Sequence, residues 1–129
     1  VGVEPEVIAK YNVVSAPVAA RMALGAAAAS GADIAVSVTG VAGPTGGDEV
    51  RPVGTVYLGA ARGDTVYVQK LFVSRPDRAL VRARAAQAAL ALALRLAQGK
   101  VPAHTKPLAA SEQHSAAALD ALNEAFLAE

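Results

Sequence analysis

Apolar residues crowd the segment that follows Ser15, and their alanine-rich run predicts a helix over Ala16–Ser30, opened by a serine N-cap and closed at Gly31. Pro17 is tolerated in its first turn. Pro5–Lys10 reads as a shorter helical turn. The pattern then changes. Ile34–Thr39 is a compact β-branched run that suits a buried, central strand. Gly54–Ala61 and Thr65–Val73 are two more strand-like runs, and Arg62-Gly63-Asp64 between them signals a hairpin. Asp77–Gln98 returns to helical character, with Ser74 and Asp77 spaced as a capping box. Gly99–Pro107 holds glycine and two prolines and reads as a linker. In the tail, Ser111–Ala128, apolar residues at 119, 122, 126 and 127 form a narrow helical stripe that packs on the body, packs on another subunit or stays disordered alone. The expected fold is α/β: a three-layer α/β/α domain with a mixed sheet, plus a C-terminal helical tail. Residues 1–98 form the domain portion and 99–129 the linker and tail helix.

The most informative stretch joins the first two strands. Val36-Ser-Val-Thr-Gly-Val-Ala-Gly-Pro-Thr-Gly-Gly47 places glycines at 40, 43, 46 and 47, where the main chain can adopt positive φ, approach a ligand and offer consecutive N–H groups to an anion. Asp48-Glu-Val-Arg-Pro52 follows, not the Lys-Ser/Thr pair and helix of a Walker A loop. The G-x-x-G-x-x-G spacing and the strand that follows also exclude a dinucleotide fingerprint. A plain inter-strand turn is the competing reading.

Four segments in order resemble the CinA C-terminal domain family. Thr39-Gly-Val-Ala-Gly-Pro with Arg51-Pro-Val-Gly-Thr-Val-Tyr57 is similar to its signature, with Arg51 where the family usually has lysine. Val1-Gly-Val3, Val14-Ser-Ala-Pro-Val-Ala-Ala-Arg-Met-Ala23 and Phe72-Val-Ser-Arg-Pro-Asp-Arg78 complete the match, which runs to about Leu96; Pro76 stands where the family commonly has glycine. The resemblance implies a cytoplasmic amidohydrolase of pyridine nucleotide recycling that converts nicotinamide mononucleotide to nicotinic acid mononucleotide and ammonia, using a serine nucleophile and no metal or other cofactor. The family's Glu-Ser-Cys-Thr-Gly-Gly and Tyr-Ser-Asn-x-x-x-Lys segments precede the matching Gly-Val. The nucleophile and its lysine are therefore expected upstream of Val1, the chain is expected to be an inactive fragment, and no serine within it is nominated. Some family members carry a further N-terminal domain resembling molybdopterin-binding proteins, a candidate partner in the full protein. A homo-oligomer is expected. The alternative is a noncatalytic scaffold or regulatory domain.

The candidate substrate-binding residues are Thr39, Gly40, Ala42 and Gly43, for the nicotinamide ribosyl group, and Arg78 and Arg82, for the phosphate. Arg75, Arg78, Arg82 and Arg84 crowd the start of the long helix, the end where a cation is unfavourable by a few tenths of a kcal/mol unless an anion compensates. Positions 78 and 82 share a helix face. Composition narrows the rest. At 129 residues the chain fits one domain. Cysteine is absent, which removes disulfide frameworks and thiolate zinc sites, and His104 and His114 are too far apart for a zinc helix. No metal site is expected, and no apolar run is long enough for a membrane span. Residues 1–100 carry 11 basic and 7 acidic side chains, the remainder 1 and 4. That modest excess, with 4% aromatics, disfavours nucleic acid as a partner. Tyr57 and Tyr67 are expected to pack strand against helix.

Overall fold

The computed structural model describes residues 2–74 and 77–128; Arg75 and Pro76, both singled out by the sequence, lie outside the described residues. Helix α1 spans Pro5–Tyr11 and α2 spans Ala16–Ser30. The predicted caps of α2 are in place: Ser15 Oγ accepts from Val18 N at 3.3 Å, and Gly31 closes the helix in the left-handed region. Strands β1 (Ile34–Gly40), β2 (Thr55–Arg62) and β3 (Thr65–Phe72) follow, then α3 (Arg78–Ala97), β4 (Lys106–Ala109), a 3₁₀ turn at Ala110–Glu112 and α4 (Ala116–Leu127). Asp77 caps α3 alone, its Oδ1 accepting from Ala79 N at 2.8 Å.

The four strands lie in the order β1-β2-β3-β4. Helices on both faces give the expected α/β architecture, but every described strand pair is antiparallel, not mixed. Each strand returns directly beside its predecessor through a loop or hairpin, and after α3 the segment 98–105 turns the chain so that β4 also meets β3 head to tail. A second difference concerns β1. It pairs only with β2 among the described residues, so it is an edge, and Val36 and Val38 are 37% and 40% exposed. The central strand is β2, buried from Thr55 to Ala61.

Alternation along β2 divides the core in two. Tyr57, Gly59 and Ala61 face α2, while Val56, Leu58 and Ala60 face α3 with Val81, Ala85, Leu92 and Leu96. Gly59 is required by proximity, since a Cβ there would lie 2.5 Å from the Ala19 carbonyl oxygen of α2.

The tail packs on the body. Leu119, Leu122 and Phe126 are buried in the α2 side of the core, and the Phe126 ring meets Tyr57 edge-on, with centroids 5.7 Å apart. Leu127, the fourth residue of the predicted stripe, is 41% exposed. Tyr11 donates to Asp120 across 109 positions of sequence, and Lys10 Nζ lies 3.0 Å from the same carboxylate. The Tyr11 hydroxyl bond, then Lys10, holds the Asp120 carboxyl below its ordinary range. Asp120 in turn raises Lys10, and burial followed by the Asp120 bond raises Tyr11. At the other end of α1, Arg21 is 5% exposed and sits 2.7 Å from Glu4, whose carboxyl it lowers.

Candidate functional site

The glycine-rich turn is built by continuing the ladder past the strand ends. Val41 N donates to Thr55 O and Gly54 N to Val41 O, each at 2.8 Å, so residues 42–53 project as a closed loop. Gly43 and Gly46 have φ of 88° and 103°, conformations that disfavour any other residue. Gly43 is also hemmed in, with Val53 Cγ1 2.6 Å from where its Cβ would stand. The Gly43-Pro44 peptide is cis. Asp48 folds the far side by accepting from Val50 N and Arg51 N at 3.0 and 2.6 Å.

Three chain ends meet here. Val73 N, just past β3, donates to Gly54 O at 3.0 Å, and α3 begins four residues after Ser74. Arg78, its first residue, donates from Nη1 to Gly43 O at 3.4 Å. This long bond uses one of the five guanidinium donors. The structure thus brings Gly40, Ala42, Gly43 and Arg78 to one end of the sheet on the α3 side. Ala42 packs into that side's core. Arg82 lies one turn further along α3 and is exposed.

Thr39 is placed differently. Its hydroxyl donates to Val13 O at 2.8 Å, on the α2 face with Ser37, whose hydroxyl donates to Ala19 O. Strand alternation sends residues 39 and 40 to opposite faces, so the Thr39 side chain does not join Arg78. That parity was available in the sequence. Arg51 is the residue that motif reading undervalued. Its Nε donates to Val14 O and its Nη2 to Tyr11 O at 2.7 Å, tying the loop to the α1–α2 junction. Thr39 and Arg51 therefore clamp the turn from one side while Arg78 touches it from the other. Among the described residues no three His, Cys, Asp or Glu side chains converge as a metal site, and no helix is long and apolar enough to cross a membrane.

Comparison with known proteins agrees with this architecture. The family model described as CinA C-terminal domain matches residues 1–97. The nicotinamide-nucleotide amidohydrolase PncC of Escherichia coli (strain K12) is 45% identical over 92 residues, covering 70% of this chain and 54% of that protein. A putative competence-damage inducible protein of Moorella thermoacetica is 46% identical over 92 residues, covering 70% of this chain and 22% of that protein. Among solved structures, a competence/damage inducible protein from Agrobacterium tumefaciens superposes with a TM-score of 0.72 at 35% identity, over 75% of this chain and 59% of that one. The chain spans about half the length of the amidohydrolase relative and about a fifth of the longer one.

Proposed function

Because the chain belongs to the CinA C-terminal domain family, we propose that it forms part of a cytoplasmic amidohydrolase acting on nicotinamide mononucleotide, with nicotinic acid mononucleotide and ammonia as products. The observation that carries this reading is the 45% identity to a protein named for that activity, within a family match that takes in both the glycine turn and Arg78. In the proposed site the phosphate rests between Arg78 and Arg82, which share a helix face beside the α3 N-terminus, where an anion is favoured. The N–H groups of the Gly40–Gly43 turn orient the nicotinamide ribosyl group, and Thr39 positions that turn through Val13. A serine hydroxyl from outside this stretch attacks the carboxamide carbon, and ammonia leaves with the proton the hydroxyl gave up. Water then cleaves the ester, releasing the acid and restoring the serine. Oxyanion donors at that step are typically worth about 3 kcal/mol each.

The test is ammonia release from nicotinamide mononucleotide by the product of the complete reading frame. Arg78→Ala in that protein is expected to raise KM roughly 10- to 100-fold with kcat nearly unchanged, the loss of one charge-assisted contact made equally in ground and transition states. An unchanged KM removes Arg78 from the site. A second reading, a noncatalytic scaffold inside a longer protein, draws on the relative of which the match covers only 22%. A folded complete protein that releases no ammonia favours it.

A further inference from the structure

The junction between α1 and α2 holds a backbone conformation that its own residues do not favour. Asn12 has φ 79° and ψ 152°, a region open essentially to glycine, and a side chain persists there only where surrounding contacts over-determine it. Some of those contacts are local: Asn12 Oδ1 accepts from Val14 N at 3.0 Å, and Asn12 O from Ser15 Oγ at 2.8 Å. The others come from the glycine-rich turn and its strand. Tyr11 O accepts from Arg51 Nη2, Val13 O from Thr39 Oγ1 and Val14 O from Arg51 Nε. Each carbonyl of residues 11–14 therefore accepts from a side chain.

The tail grips the same junction from the opposite side. Tyr11 donates its hydroxyl to Asp120 of α4, and Lys10 Nζ stands over the Tyr11 ring, 5.1 Å from its centroid. Tyr11 is thus held at its carbonyl by the turn and at its hydroxyl by the tail, with its ring in one core cluster with Leu119, Leu122 and Phe126. A second path runs in parallel. Phe126 meets Tyr57 edge-on, and Tyr57 is the cross-strand partner of Thr39. Val41, where the turn begins, packs against the same cluster. We infer that α4, which lies beyond the residues matched by the family model, positions the glycine-rich turn, with Asp120 as a positioning residue that acts through Tyr11 and Arg51.

The chemistry of each link suits transmission. An ionised carboxylate accepts a shorter and stronger hydrogen bond than a neutral group, so Asp120 fixes the tip of a ring that has only two rotatable bonds. Arg51 presents a planar fork whose donors keep a fixed spacing, so its bonds to Tyr11 O and Val14 O set the guanidinium against both carbonyls at once. A lysine ammonium, a point charge on a flexible stem, would follow those carbonyls less closely. The main chain of Arg51 is itself tied into the turn, its N–H donating to Asp48 Oδ1 at 2.6 Å. What the turn binds rests on the amidohydrolase reading; its connection to α4 does not.

Hydrogen exchange in the product of the complete reading frame, followed by mass spectrometry, reads the turn directly. Asp120→Ala is expected to speed exchange in residues 41–54 about 2- to 10-fold, the range set by one lost hydrogen bond, while Ile34 and Ala35 at the far end of β1 keep the parent rate. Tyr11→Phe leaves the ring in the core and is expected to act alike. Asp120→Asn keeps an acceptor for the Tyr11 hydroxyl and is expected to restore the parent rate in the turn. With nicotinamide mononucleotide as substrate, Asp120→Ala and Tyr11→Phe should each raise KM by about the same 2- to 10-fold and leave kcat nearly unchanged. Equal acceleration at both ends of β1, or none in the turn, overturns the proposal and leaves α4 as cover for the core alone. An unchanged KM beside a loosened turn overturns the role of α4 at the site. A complete protein that releases no ammonia yet shows the exchange pattern sinks the amidohydrolase reading and leaves the positioning of the turn standing.

Discussion

Replacing Gly59 by alanine measures how closely α2 is seated on the sheet. The added Cβ would lie 2.5 Å from Ala19 O, 2.8 Å from Ser37 Oγ and 3.0 Å from the Ala19 carbonyl carbon. Two of these atoms belong to a helix backbone. The third is a buried hydroxyl that donates to that same carbonyl at 2.6 Å, so none is the free end of a flexible side chain. The helix must therefore lift by several tenths of an ångström and stretch the Ser37 bond. Overpacking of this kind costs about 1–3 kcal/mol and a weakened buried hydrogen bond about 1. Alanine recovers roughly 0.5–1 kcal/mol by restricting the unfolded chain, leaving a loss of about 1–3.5 kcal/mol. For a chain of this length that is a drop in Tm of roughly 3–18 °C, read by circular dichroism or calorimetry. Gly63→Ala is the control: φ is 62° with nothing within 4 Å, so it carries left-handed strain of about 1 kcal/mol and no clash. If Gly59→Ala melts within about 2 °C of the parent, or above Gly63→Ala, the close seating of α2 is refuted.

Phe126→Ala removes a ring that is 2% exposed and meets Tyr57 edge-on, so a loss of about 3–5 kcal/mol is expected in urea unfolding; a loss below 1 would mean that α4 does not share the core. The pH profile of stability should fall at both ends. Glu4 and Asp120 are lowered from 4.5 and 3.8, so their contributions are present above those values and disappear as acid protonates the folded state. Tyr11 and Lys10 are raised from 10.0 and 10.5, so theirs are present below those values and vanish as pH climbs through the raised ones. Urea midpoints should be flat between about pH 5 and 10, and Asp120→Asn should soften both limbs. Limbs as steep in that variant as in the parent would show that the Lys10–Tyr11–Asp120 cluster does not couple to folding.

Local rules made α2 legible, because Ser15 and Gly31 are caps with one clear chemistry each. The hairpin at Gly63 and the extent of α3 were legible for the same reason: turn residue and period point the same way. β1 was misplaced because a β-branched run records preference for a pleated surface, not the number of neighbouring strands. β4 escaped notice because Lys106-Pro-Leu-Ala109 is four residues long and Pro107 has no N–H, features tolerated only at an edge. In the candidate site, glycines at 43 and 46 announced positive φ, while the contact of Arg78 with the Gly43 carbonyl joins positions 35 apart and had no local signal. Arg51 was opaque because its partners are main-chain carbonyls 37 and 40 positions away, and a carbonyl leaves no mark on sequence.

The bond between Tyr11 and Asp120 also sets a timetable. At a ribosomal rate of about 5–20 residues per second, the carboxylate emerges roughly 5–20 s after the tyrosine it binds. Until then the α2 side of β2 and β3 lacks the leucines and phenylalanine of α4, so Tyr57, Val66 and Val68 have only part of their cover, that of α2, on a nascent sheet whose β1 strand carries no charge. Any pause between residues 73 and 119 lengthens the interval in which another chain can add a strand to that sheet.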